Sequence, residues 1–150
     1  MERRLGIALC LALATLAGIF LLAQQSVKET SDLTWRVEQL LVRIIPPTGT
    51  GPAGEPTWLG LTIRRLAHVV EYAVLGLTTS LVVMQFAGAT GRAAAYTAAI
   101  CFAASLADEL HKVFVPGRHF DAQDLALDAV GYMLAMMLAF GAARLLTHTA

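Results

Sequence analysis

The sequence predicts an all-α membrane protein: a four-helix transmembrane bundle with a short interfacial amphipathic helix in the first loop. Of the 150 residues, 57% are hydrophobic and only 15% are charged, whereas about a quarter are charged in an ordinary soluble domain. This composition excludes intrinsic disorder, which requires low hydrophobicity and high net charge. Eleven basic and eleven acidic residues give a formal net charge of zero, so the composition provides no strongly basic surface for nucleic acid.

Four segments are long and apolar enough to cross a bilayer, which takes about 20 residues of helix. They cover residues 5–23, 66–87, 93–115 and 121–146. The last two carry acidic residues at one end, but each also contains a long uncharged stretch. The first follows a basic amino terminus and could be a cleaved secretory signal peptide, although its long apolar run favours a retained helix.

The loop at 24–65 begins with a segment that predicts an amphipathic helix at 31–45. Ser31 or Asp32 is a suitable N-cap, since their side-chain oxygens accept hydrogen bonds from the first helical amides. A short helix with one apolar side lies along the membrane interface. The apolar residues recur at helical spacing: Leu33, Val37, Leu40, Leu41 and Ile44.

Proline and glycine mark the two main connections. Residues 46–60 hold four of the five prolines, which predicts an irregular connector ending near Trp58, a residue type suited to the headgroup region. Residues 115–118 read VPGR, and the Pro-Gly pair favours a type II turn. Asp121 then caps the last span. The third and fourth spans are therefore expected to form an antiparallel hairpin.

The positive-inside rule predicts the orientation of the chain in the plasma membrane. Arg3 and Arg4 beside the first span favour a cytoplasmic amino terminus. With four spans, the carboxyl terminus is then cytoplasmic as well. The opposite side carries more basic residues, so this prediction depends on the dominance of the first helix.

Ionisable residues converge on one membrane face in this topology. Charged side chains inside membrane spans mark a functional site by default, because they are expensive to bury. On the fourth span, Gly131, Ala135 and Ala139 have the spacing of a small-residue surface that admits close approach of another helix. The converging residues are His68, Glu71, Asp108, Glu109, His111, Lys112, Asp121, Asp124 and Asp128.

Several of these residues also have purely structural interpretations. His68 could be a hydrogen-bonded core histidine, and Lys112 and Arg118 could be anchors that reach for the membrane surface. Glu71 and Asp128 are harder to explain in this way, because an apolar helix has no structural need for a carboxylate. The convergence as a whole predicts a polar functional pocket.

Three segments in the last three spans carry a family resemblance. They read RLAHVVEY at 65–72, DELHKVFVPGR at 108–118 and DLALDAVG at 124–131. These segments resemble the hallmark motifs of the VanZ-like family of bacterial integral membrane proteins, over about residues 64–139. Lys112 stands where that family usually has Gln, and Asp128 where it usually has Asn. Because the two changes have opposite sign, we expect Lys112 and Asp128 to form a compensating ion pair.

The resemblance implies a fold and a set of site positions, but no particular reaction. The family takes its name from an accessory protein linked to reduced susceptibility to teicoplanin, a lipoglycopeptide antibiotic that acts on the cell wall. The matching positions and their neighbours form the predicted binding site. Its residues are Arg65, His68, Tyr72, Asp108, Glu109, His111, Lys112, Arg118, Asp124 and Asp128.

The first functional hypothesis is recognition or modulation of a lipid headgroup or a lipid-linked cell-wall component. Its partners would be membrane lipids or lipid-linked intermediates. Arginine binds phosphate in a bidentate manner, and carboxylates beneath would orient the cationic groups. The predicted cationic rim consists of Arg64, Arg65, Lys112 and Arg118.

Two other classes of function stay open. An intramembrane acid–base enzyme would use His68, Glu71, Asp108 or Glu109 as catalytic groups, with Arg118 stabilising negative charge. A transporter or proton relay would need polar residues deeper in the spans, and the candidates are Thr78, Thr79 and Gln85. The sequence requires no cofactor and has no recognised metal-ligand spacing. The residues that could hold a divalent metal are His68, Glu71, Glu109, His111 and Asp124.

Overall fold

A computed structural model describes residues 2–148 and places about three quarters of them in helices. Four of its helices, with spans at 5–23, 63–87, 91–112 and 122–147, are long and apolar enough to span a membrane. The predicted all-α bundle of four spans is therefore confirmed. The elements are α1 (Glu2–Ala23), α2 (Val27–Ile44), β1 (Gly49–Thr50), β2 (Pro56–Thr57), α3 (Ile63–Ala87), α4 (Gly91–Lys112) and α5 (Ala122–His148).

The backbones of α3 and α5 come into direct contact at two glycines. A Cβ atom on Gly131 would lie 2.3 Å from the carbonyl oxygen of Val69, and one on Gly76 would lie 2.7 Å from the Cα of Tyr132. Small residues permit this approach between membrane helices. The close contact predicted at Gly131 is confirmed, and it brings the polar ends of α3 and α5 within side-chain reach.

The helix α2 begins earlier than the sequence analysis predicted. Ser26 is its N-cap, and the Ser26 amide donates to Glu29 Oε2 at 2.8 Å while the Ser26 hydroxyl accepts from the Glu29 amide. The proposed caps Ser31 and Asp32 are wrong, because this reciprocal capping box starts the helix at Val27. The hydrogen bonds donated by Ser26 also hold the pKa of Glu29 below its usual range. No residue of α2 is buried, and its apolar side chains stay largely exposed: Leu33 is 42% and Leu40 is 60% exposed.

The connector after α2 is more ordered than predicted. Strands β1 and β2 pair in an antiparallel two-residue hairpin, and Gly54 turns it with a φ of 83°. Trp58 is buried, and its indole Nε1 donates to the Ile45 carbonyl at 3.1 Å. Trp58 therefore fastens the connector to the end of α2.

The connection between α4 and α5 contains the predicted type II turn. The Arg118 amide donates to the Val115 carbonyl at 3.0 Å, and Gly117 has the positive φ of 79° that this turn requires. Asp121 Oδ1 accepts from the Gln123 amide at 2.8 Å, which confirms Asp121 as the cap of α5. The two helices form an antiparallel hairpin.

We predict that Gly131→Ala lowers the free energy of unfolding by about 1–3 kcal/mol, because the new methyl group forces α3 away from α5. Gly141→Ala is the matched control on the same helix, since a Cβ there has no neighbouring atom within 4 Å. Thermal unfolding in detergent compares the two variants. Equal melting temperatures would contradict the close packing of α3 on α5.

Candidate functional site

The His68 imidazole lies at the centre of the polar cluster. Its Nδ1 is 2.9 Å from Asp128 Oδ1, and its Nε2 is 3.2 Å from Asp124 Oδ2. The two aspartates are four residues apart and share one side of α5. A neutral imidazole has only one N–H, so two facing carboxylates favour the doubly protonated ring. The geometry holds His68 as a cation between two anions.

Asp128 is fully buried, and α4 satisfies its second oxygen. The Ser105 hydroxyl donates to Asp128 Oδ2 at 2.6 Å. Ser105 is absent from the predicted site residues, although its spacing to Asp108 and Lys112 places all three on one side of α4. This spacing is the feature of the sequence from which Ser105 can be predicted as a site residue. Asp128 therefore links α3, α4 and α5.

Lys112 is the second buried cation, and its partners differ from the prediction. Its Nζ lies 3.3 Å from Asp108 Oδ2 and 3.5 Å from Asp124 Oδ2, and it donates to Glu109 Oε1. The expected ion pair between Lys112 and Asp128 is wrong. In the antiparallel register, Asp128 is level with Ser105, and Lys112 lies about 10 Å further along α4.

Glu109 is fully buried, and both of its oxygens have partners within the protein. Oε1 accepts from Lys112, and Oε2 accepts from the backbone amide of Asp121 at 2.9 Å. Glu109 thereby ties the end of α4 to the start of α5. These contacts favour a positioning role for Glu109. They do not favour the catalytic role considered for it in an acid–base enzyme.

A cavity of about 220 Å³ lies between α1, α2, α3 and α4, beside this cluster. Asp108 is only 2% exposed, and its Oδ1 has no hydrogen-bond partner among the described residues. Glu71 lines the same cavity and makes no ion pair within the part of the chain that the structure describes. The ionisable residues of its lining are Arg64, His68, Glu71, Asp108, Lys112 and Arg118. The apolar wall includes Ile19, Leu22, Leu33, Val37, Ile63 and Ala67.

The predicted cationic rim divides into separate environments. Arg118 donates to the carbonyls of Ala23 and Gln25 at 3.1 and 3.3 Å, and burial lowers its pKa from the usual value. Arg65 donates to Gln123 Oε1 at 2.7 Å and faces a neighbouring cavity. Arg64 and Arg118 line the cavity between α1, α2, α3 and α4, whereas Lys112 is surrounded by carboxylates.

Two further predicted residues lie outside the cavity. The His111 ring packs on Phe20 of α1, with ring centroids 6.0 Å apart, so His111 does not join His68. Tyr72 is completely buried in the core between the helices. Among residues 2–148, no group of three His, Cys, Asp or Glu side chains is arranged to hold a metal ion. Of the five residues named as possible metal ligands, His68 and Asp124 are in contact, whereas His111 packs on Phe20 and Glu109 accepts from Lys112.

The fold and the site define a multi-pass membrane protein with a charged cluster buried at one end of its helical bundle. The chain belongs to the VanZ/LLP1 family, whose model matches residues 7–146. The resemblance is therefore confirmed, and the match includes α1 and α2 as well as the three motif segments. No curated protein and no solved structure matches the chain.

We predict that His68→Gln and Asp128→Asn are energetically coupled. Each single substitution leaves a buried charge without its partner and is expected to cost about 3–5 kcal/mol. A double-mutant cycle measured by unfolding in detergent should give a coupling energy of about 0.5–3 kcal/mol. The cycle for Lys112→Gln with Asp128→Asn is the comparison and should give a smaller value. A larger coupling energy for Lys112 with Asp128 than for His68 with Asp128 would contradict the pairing of His68 with Asp128.

We also predict that Arg118→Gln loosens the junction between α1 and α2. The guanidinium holds two carbonyls there, and hydrogen bonds to charged groups are worth about 1.5–3 kcal/mol. Hydrogen–deuterium exchange of the peptide over residues 20–30 should accelerate about tenfold or more. Arg92→Gln removes an exposed charge at the other end of α4 and serves as control. Equal exchange in both variants would show that Arg118 does not hold the junction.

Proposed function

We propose that this VanZ-like protein recognises the headgroup of a phosphate-bearing envelope lipid or lipid-linked cell-wall component. The observation that carries the proposal is the cavity whose apolar wall from α1, α2 and α3 meets a charged lining. Arg64 and Arg118 supply cations suited to phosphate. A ligand that fills both parts of such a cavity is amphipathic.

The state of the two arginines supports this assignment. The Arg64 side chain makes no hydrogen bond or ion pair with the described residues, and it borders three neighbouring cavities. Arg118 donates to two backbone carbonyls, and no carboxylate in the part of the chain that the structure describes lies within 4 Å of its guanidinium group. Both guanidinium groups therefore keep positive charge available for an anion.

The proposed orientation agrees with a role at the outer surface of the plasma membrane. Arg3 and Arg4 favour cytoplasmic termini, and four spans then place the polar cluster at the external end. Cell-wall precursors are exposed on that side. We extend the proposal to an effect on teicoplanin susceptibility, which the family resemblance implies.

A lipid-directed acid–base enzyme is the second candidate, favoured by the two carboxylates that face the cavity. Among the described residues, Asp108 Oδ1 lacks a hydrogen-bond partner and Glu71 makes no ion pair, so either group could accept a proton from a bound ligand. His68 is less suited to this chemistry, because carboxylates occupy both of its ring nitrogens.

Transport has less support from the geometry. The deeper hydroxyl groups of Thr78, Ser80 and Thr97 donate to carbonyls of their own helices. These bonds satisfy the hydroxyls locally and leave them less available for a proton relay.

We predict that Arg64→Gln weakens retention of co-purifying phospholipid by about tenfold or more, since it removes a charge-assisted contact to phosphate. Mass spectrometry of the purified full-length protein measures the retained lipid, and teicoplanin susceptibility of expressing cells is the second readout. Arg92→Gln is the matched control. Identical lipid retention in the two variants would contradict phosphate recognition in this cavity.

A further inference from the structure

We infer that the headgroup bound in this cavity carries a primary ammonium group as well as a phosphate, as a phosphoethanolamine lipid does. This inference rests on the proposed function, because it assigns a second contact to the same ligand. It follows from the charge of the buried cluster and from one buried oxygen that has no partner.

The buried cluster contains more carboxylates than cations. His68 and Lys112 are its cations, and burying a carboxylate without a compensating charge is costly. Glu71 adds a further carboxylate at the cavity and has no ion-pair partner in the described part of the chain. A cationic group on the ligand would compensate this excess. The four carboxylates that contact His68 and Lys112 are Asp108, Glu109, Asp124 and Asp128.

Asp108 supplies the specific acceptor for that group. Lys112 lies beside Oδ2 at 3.3 Å, whereas Oδ1 is buried and has no hydrogen-bond partner among the described residues. An ammonium group has three N–H donors and makes short, charge-assisted bonds to carboxylates. Oδ1 therefore offers a place for one donor, and the neighbouring Glu71 offers another acceptor from α3.

The order of charges along α3 matches a headgroup with two opposite charges. Arg64 and Glu71 both line the cavity, and they are seven residues apart, which is about 10 Å along the helix. Their side chains extend into one cavity from positions two turns apart. Phosphate is assigned to Arg64 and Arg118, and the ammonium is assigned to Glu71 and Asp108. A sugar hydroxyl could also donate to Asp108 Oδ1, but a neutral hydroxyl would not compensate the excess negative charge of the buried cluster.

The test compares two lipids that differ only at the amine. Full-length protein in detergent is titrated with dioleoyl phosphatidylethanolamine and with its N-acetyl derivative, which keeps the phosphate but lacks the ammonium. We expect the protein to bind the amine lipid about tenfold or more tightly than the derivative. Asp108→Asn should remove that preference, whereas Arg64→Gln should weaken binding of both lipids alike. Asp32→Asn, on the exposed side of α2, should change neither.

The outcomes separate this inference from the function on which it rests. Equal affinity for the two lipids overturns the ammonium contact and leaves phosphate recognition intact, whereas no binding of either lipid contradicts both. Glu71→Gln provides an independent test where Asp108→Asn fails to fold. That variant should lose a substantial part of the preference. If both Glu71→Gln and Asp108→Asn fold and still keep the full preference for the amine lipid, the assignment of the ammonium group to Glu71 and Asp108 is overturned.

Discussion

The structure depends on the charged contact of His68 with Asp124 and Asp128. These groups lie in spans that offer no water to solvate them, so each charge must find its partner inside the bundle. One cation from α3 meets two anions from α5 at 2.9 and 3.2 Å, and Ser105 of α4 completes the shell around Asp128. The buried polar side chains of α3, α4 and α5 are therefore stabilised by their contacts with one another.

Backbone packing makes this contact possible. Aspartate has a short side chain, so α5 must approach α3 closely before its carboxylates can reach a histidine ring. Gly76 and Gly131 permit that approach because neither helix has room for a Cβ atom at the crossing. The small residues in the middle of the bundle and the charges at its end therefore form one structural unit.

The polar residues divide into two groups with different tasks. Asp128 and Glu109 have both oxygens occupied by protein groups, so they hold the helices in register. Asp108, Glu71 and Arg64 line the cavity and keep unused hydrogen-bonding capacity. The same cluster therefore contains carboxylates that hold the helices together and charged groups that face the cavity.

The four spans, the VPGR turn and the convergence of ionisable residues on one end of the bundle can all be predicted from the amino-acid sequence. Each of these depends on local hydropathy, local turn chemistry or simple topology. The pairing of Lys112 with Asp124 in place of Asp128, and the packing of His111 on Phe20 away from His68, could not be predicted in this way. Such partners depend on helix register and rotation, which are set by the close contact at Gly131 and by side-chain packing between elements distant in the chain.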